Sequence, residues 1–244
     1  MKDYRLSHLE VRKSKNYDQL IYKKGSYDDL IWQAEKPVLS YEIQRLKKRI
    51  EQIFYLDFGC GTGRILKFLE TKVYESLGVD ISESMIALAR AKGVRSPMIV
   101  GDITREDTLG SRKFHLITAF RVFLNSGSEF SRQMLQVLVP KLDSKGVFIF
   151  NMHGNIWSYR FFTKLWYLLH GRTLNTISFW SAKKLAEDNG LKLVRWYGFG
   201  FVPKIFYRIF GARNMYFLDS IIAKIPFSKY FLYNLIFVCK KVSK

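Results

Sequence analysis

The run Leu56-Asp57-Phe58-Gly59-Cys60-Gly61-Thr62-Gly63-Arg64 constrains this chain more than any other feature. It follows an apolar stretch and opens a helical pattern, so it reads as a strand, a glycine turn and a helix start. Glycines at alternating positions permit left-handed backbone and let the main chain approach a ligand closely. From residue 53 onward, short β-rich runs alternate with helical periodicity, the pattern of a parallel sheet with crossover helices. Strands are expected over 53–58, 73–79, 98–100, 114–120, 147–151, 191–197 and 235–239, with helices over 64–70, 83–92, 130–139 and 181–189. Ser82 is expected to cap the second of these helices and Gly93 to stop it. The resulting fold class is α/β, a doubly wound, seven-stranded, mostly parallel sheet, with a helical lead-in over 1–52 before the sheet domain of 53–244.

The loop's spacing is Asp-x-Gly-x-Gly-x-Gly, whereas a dinucleotide fingerprint needs Gly-x-Gly-x-x-Gly, and Arg64 stands where its last glycine would be. A sulfonium cofactor without a pyrophosphate, S-adenosylmethionine, suits such a turn, its methionine carboxylate received by backbone N–H groups near the helix start. Asp80, at the end of the second strand, is placed to accept hydrogen bonds from ribose hydroxyls. Asp102 follows the third strand, where a side chain meets an adenine edge. Acids at three successive strand ends, Asp57, Asp80 and Asp102, favour that cofactor over a nicotinamide or flavin.

On these residues the chain resembles the class I, Rossmann-like methyltransferases that use S-adenosylmethionine, in particular their type 11-like small-molecule branch. The likeness covers roughly residues 50–200. It implies that Gly59, Gly61 and Gly63 line the methionine end and that Asp80 binds the ribose. Ile81 and Met85 would flank the adenine, Asp102 and Ile103 would fix its edge, and the backbone near Phe120 would close the pocket. Asp57 would support the loop or the methionine amino group. Cys60, inside the loop, reads as a small packing residue. His115, where many relatives carry an acid, reads as a strand residue without chemistry.

Methyl transfer is an in-line displacement, so the protein aligns the acceptor and, for a hydroxyl, takes its proton. His153, expected in a loop just after the fifth strand, is the candidate base. Arg121, Asn125 and Asn155 are placed to orient a polar or anionic acceptor, and Tyr22 and Tyr27 to close over the cofactor. The Asn/Asp-Pro-Pro-Tyr/Phe tetrapeptide of nucleobase amino-methyltransferases is absent.

The formal net charge is +19, and it is unevenly spread. Residues 151–244 hold 15 Lys/Arg against 3 Asp/Glu, compared with 12 against 8 in residues 1–52 and 13 against 10 in 53–150. Two aromatic, basic inserts, 155–175 and 200–233, depart from the alternation and are expected to shape the substrate side. Together they point to a small-molecule, lipid-linked or glycan-linked acceptor and to an anionic membrane surface as a partner. An RNA or other nucleic-acid substrate, and a non-catalytic cofactor-binding partner protein, are the alternatives. With two cysteines far apart, no apolar run long enough to span a bilayer and a charged start, the expected location is cytoplasmic, with membrane association through the inserts.

Overall fold

A computed structural model describes residues 25–242. It does not describe the side chains of Asn125, Arg208, Ala212, Arg213 and Tyr216. The expected closing role of Tyr22, and the pocket role of the Asn125 side chain, lie outside the described residues.

The sheet comprises β1 (Phe54–Phe58), β2 (Glu75–Asp80), β3 (Met98–Val100), β4 (Phe114–Ala119), β5 (Leu142–His153), β6 (Leu191–Phe199) and β7 (Asn234–Lys241). Its order is β3-β2-β1-β4-β5-β7-β6. β1 to β5 run parallel, and β7 is antiparallel to both β5 and β6. The seven expected strands are therefore all present: β5, β6 and β7 run longer than expected, whereas β1, β2 and β4 are each one residue shorter. One shift matters: β5 continues to His153, which is the last residue of a strand rather than part of a loop. Backbone pairing with β7, as far as His153 opposite Asn234, extends it.

The helices are α1 (Tyr27–Lys47), α2 (Arg64–Leu69), α3 (Glu83–Ala91), α4 (Phe123–Ser126), α5 (Ser128–Lys141), α6 (Arg160–Leu169), α7 (Phe179–Glu187), α8 (Lys204–Ile209) and α9 (Ala212–Ile222). Ser82 caps α3 as expected, its hydroxyl accepting from the Met85 N–H at 3.4 Å, and Gly93 follows with φ +76°. The period of two in the strands divides the core. Tyr55, Val147, Ile149, Ile236 and Val238 face one layer with α1, α2 and α3. Leu56, Phe148, Phe150, Phe237 and Cys239 face the other with α5 and α7. Helices thus cover both faces, the doubly wound arrangement.

The lead-in helix is part of the first layer rather than an appendage. Val38, Leu39, Ile43 and Leu46 of α1 are buried in it. Glu42, fully buried, accepts from Arg195 Nε at 2.7 Å, Arg195 Nη2 at 2.5 Å and the Tyr197 hydroxyl at 2.7 Å, tying α1 to β6. Such a pair is costly to break because the partner is left charged and unsatisfied.

Candidate active site

The glycine turn lies where β1 ends. The N–H groups of Gly59 and Cys60 both donate to the Val79 carbonyl, at 2.8 and 3.0 Å, which holds the loop against β2. Gly59, Gly61 and Gly63 all have positive φ, 68°, 52° and 73°. At two of them there is also no room: a Cβ on Gly59 would lie 2.6 Å from Val122 Cγ2, and one on Gly63 would lie 2.6 Å from Val94 Cγ2. Asp80, at the carboxyl end of β2, accepts from the Gly61 N–H at 2.8 Å and the Ser82 N–H at 2.9 Å. A carboxylate offers about four acceptor positions, so the same group can join the loop to ribose hydroxyls.

These residues open on one cavity, lined among others by Gly59, Gly61, Asp80, Ile81, Met85, Asp102, Ile103 and Phe120. Asp102 is fixed by Thr104, whose N–H and hydroxyl reach Oδ1 at 3.0 and 2.6 Å. A second, smaller chamber shares Gly59, Gly61, Phe120 and Arg121 with the first and adds Asp57, Cys60, Thr62 and Arg64. Eight of the eleven expected cofactor residues thus line the main cavity, and Asp57 and Cys60 line the chamber beside it. Gly63 lines neither, and its lack of a side chain lets the loop pack on α3 and Val94.

Asp57 is buried and accepts from the Thr118 hydroxyl at 2.7 Å. Burial pushes its carboxyl up to about 7, against the hydrogen bond from Thr118. Burial and the neighbouring Asp57 also push the Cys60 thiol far up, so it stays protonated and inert. His115 accepts the Phe54 N–H at 3.2 Å on Nδ1, at the opposite end of β1, which fits a structural role.

Three residues of α1 reach the site, and sequence reasoning missed them. Glu35 lies 3.6 Å from Arg64, and the Arg64 guanidinium sits 4.6 Å from the centre of the Trp32 ring. Asp28 lies 3.4 Å from Arg121 and 2.9 Å from Lys204. Glu35 also accepts from Asn234 Nδ2 at 3.0 Å, and Asn151 Nδ2 donates to Asn234 Oδ1 at 3.1 Å. Asn151 Oδ1 in turn accepts the Arg121 N–H at 2.5 Å, bracing a residue whose φ is +62°. A non-glycine residue in left-handed backbone is strained and persists where its surroundings hold it. The one available signal was that Glu35 and Glu42 are seven residues apart on the apolar stripe of Ile31, Val38, Leu39 and Leu46.

Beyond Arg121 lies a cationic, aromatic surround. Tyr27 packs edge-on against Tyr207 at 5.0 Å, Tyr159 stacks on Tyr233 at 5.3 Å, and the Arg160 guanidinium sits 5.6 Å from the centre of the Tyr233 ring. Burial, with Arg121 and Arg160 nearby, pushes the His153 imidazole down to about 3, against the opposing pull of Asp28. His153 Nδ1 and Arg160 Nε are buried without a hydrogen-bond partner among the described residues. Asn155 does not orient a ligand: its Nδ2 donates to the carbonyls of Tyr230 and Leu232 at 2.6 and 3.0 Å, so it clamps the start of the first insert.

A glycine turn braced by an acid at the end of β2, beside a seven-stranded sheet with an antiparallel β7, defines the class I, Rossmann-like fold of S-adenosylmethionine-dependent methyltransferases. Residues 56–146 of the chain match the family described as a methyltransferase domain. A protein of Geobacillus sp. (strain WCH70) named as a methyltransferase is 31% identical over 144 residues, 57% of this chain and 55% of that protein. The match thus spans about half the length of this relative. Magnesium protoporphyrin IX methyltransferase from Synechocystis PCC 6803, solved with bound SAH, superposes with a TM-score of 0.65 at 17% identity, covering 97% of this chain and 99% of that one. A methyltransferase from Clostridium acetobutylicum ATCC 824 superposes at 0.62 with 15% identity, covering 95% and 98%. At such identities the superpositions speak for the fold.

Proposed function

We propose that this chain transfers the methyl group of S-adenosylmethionine to a hydroxyl of a small or lipid-linked acceptor that also carries a negative charge. The observation that carries the reading is the convergence of Gly59, Gly61, Asp80, Asp102 and Phe120 on one cavity whose wall also includes Arg121, a residue near enough to His153 to act on its charge. The residues present suit the cofactor. Left-handed glycines leave the loop open, Asp80 faces the ribose position, Ile81 and Met85 flank the adenine position, and Asp57 serves the methionine amino group.

Held by these residues, the cofactor would supply a methyl group already activated on a sulfonium, so the chain's own part is to align the acceptor hydroxyl and to receive its proton. His153 is neutral throughout the physiological range, so it can accept that proton once transfer makes the oxygen strongly acidic. It is a weak base and does not ionise the hydroxyl beforehand. Beside it, Arg160 Nε is buried without a hydrogen-bond partner among the described residues. An anionic group on the acceptor would satisfy it.

The test is incubation of the full chain with methyl-labelled cofactor and cell extract separated into lipid, glycan, RNA and protein fractions. Label in the lipid, glycan or small-molecule pool, lost in Asp80→Ala and Gly61→Arg, supports the reading. His153→Ala should bind cofactor normally and turn over more slowly. Label recovered in RNA, or cofactor binding with no label transferred to any fraction, would overturn it.

A further inference from the structure

Helix α6 is inside out. Its polar positions, Arg160, Thr163 and Lys164, are half-buried toward the protein, where Lys164 Nζ donates to Thr176 Oγ1 at 3.1 Å. Its apolar positions, Phe161, Phe162, Leu165, Trp166, Leu168 and Leu169, face outward, and no residue of the helix is buried. Phe162 is 72% exposed and Leu169 77%. A helix on a protein surrounded by water shows the reverse arrangement.

The exposure is local. Of the 23 exposed large hydrophobic residues among those described, 18 fall within 155–175 and 200–233. The two inserts adjoin, since Trp157, Phe161 and Phe162 share an open apolar groove with Phe201 and Phe231. Tyr159, which stacks on Tyr233 beside His153, lines the same groove. A contiguous surface of this size marks a binding face.

Charge selects the occupant. The inserts contain eight Lys/Arg and one acid, Asp219. That acid is turned inward, accepting from the N–H groups of Phe201 and Val202 at 2.9 and 2.8 Å and from the Tyr207 hydroxyl. Among the described side chains of the inserts, Arg172, Lys204, Lys224 and Lys229 are exposed beside these aromatic and aliphatic residues, with no exposed carboxylate. A second copy of the chain would oppose cations to cations across its interface. An anionic bilayer presents negative headgroups to the cations and acyl chains to the apolar side chains.

We propose that the two inserts form a membrane-docking face which seats the protein on anionic bilayers and sets the groove beside Tyr159 at the lipid surface. The proposal does not depend on the identity of the acceptor. No described helix is long and apolar enough to cross a membrane, so the contact is with one leaflet.

The full chain would be floated with vesicles of phosphatidylcholine alone and of phosphatidylcholine mixed with phosphatidylglycerol, at low and moderate salt. The expected result is binding to the mixed vesicles, weakened by salt, with a blue shift of tryptophan fluorescence. Phe162→Ser/Leu169→Ser leaves the net charge unchanged and should reduce partitioning about tenfold or more without moving Tm. No binding to mixed vesicles overturns the proposal. So does equal binding by the double variant, which would show attraction by charge alone. Self-association abolished by the double variant, without vesicle binding, assigns the face to a second copy and equally overturns it.

Discussion

Helices α1 and α6 both lie outside the minimal strand–helix alternation, and they treat their apolar faces in opposite ways. α1 buries Val38, Leu39, Ile43 and Leu46 in a core layer and spends its buried acids, Glu35 and Glu42, on Arg64, Asn234, Arg195 and Tyr197. α6 buries nothing and turns its aromatic stripe outward. One helix therefore contributes to the core of the fold, whereas the other leaves its apolar side exposed. They converge on His153, where Asp28 of α1 and Arg160 of α6 act with opposite sign.

The sharpest way to break this contrast is a charge on each apolar face. Leu39→Asp should destabilise by more than about 4 kcal/mol, or prevent folding, because an unpaired carboxylate would enter a closed layer. Glu42→Ala should cost about 3 kcal/mol by leaving Arg195 and Tyr197 unpaired, with Glu42→Gln milder, both read in urea denaturation.

A smaller effect is expected in the pH dependence of stability. The folded His153 titrates near 3 and the unfolded one near its ordinary value of 6.5, so between those pH values only the unfolded chain binds the proton. Stability from this group is complete above about 6.5 and lost as pH falls, at about 1.4 kcal/mol per pH unit. Asp57 acts in the opposite sense. Its folded carboxyl titrates near 7 against 3.8 unfolded, so its contribution declines as pH rises through that interval. The stability difference between the native chain and His153→Gln should therefore grow with pH from about 3 to 6.5, and that with Asp57→Asn should shrink from about 4 to 7. Slopes of the same sign would refute the assignment. The smallest effect is on α6: Leu169→Ser should change stability by no more than about 0.5 kcal/mol, in contrast to the same substitution at Leu39.

How far the sequence reveals this molecule follows from the range of the interactions. The glycine turn, the strands and the acids Asp80 and Asp102 are readable because spacing within a few residues encodes them, and they came together in one cavity. The links from Glu42 to Arg195 and from Asn151 to Asn234 join residues far apart in sequence, so nothing local announces them. The same holds for the left-handed backbone of Arg121, which depends on Asn151. The pairing of β5 with β7 is likewise non-local and moved His153 from loop to strand. The aromatic, basic character of the inserts was visible, whereas the outward orientation of α6 required the structure.

The central claim is that the turn at Gly59, Gly61 and Gly63, with Asp80, holds S-adenosylmethionine. Calorimetric titration of the full chain with S-adenosylmethionine and with its demethylated product tests it most directly. One site that binds both ligands, lost in Asp80→Ala while the variant keeps its Tm, is the predicted result. No heat from either ligand with the native chain, or unchanged affinity in Asp80→Ala, would contradict it.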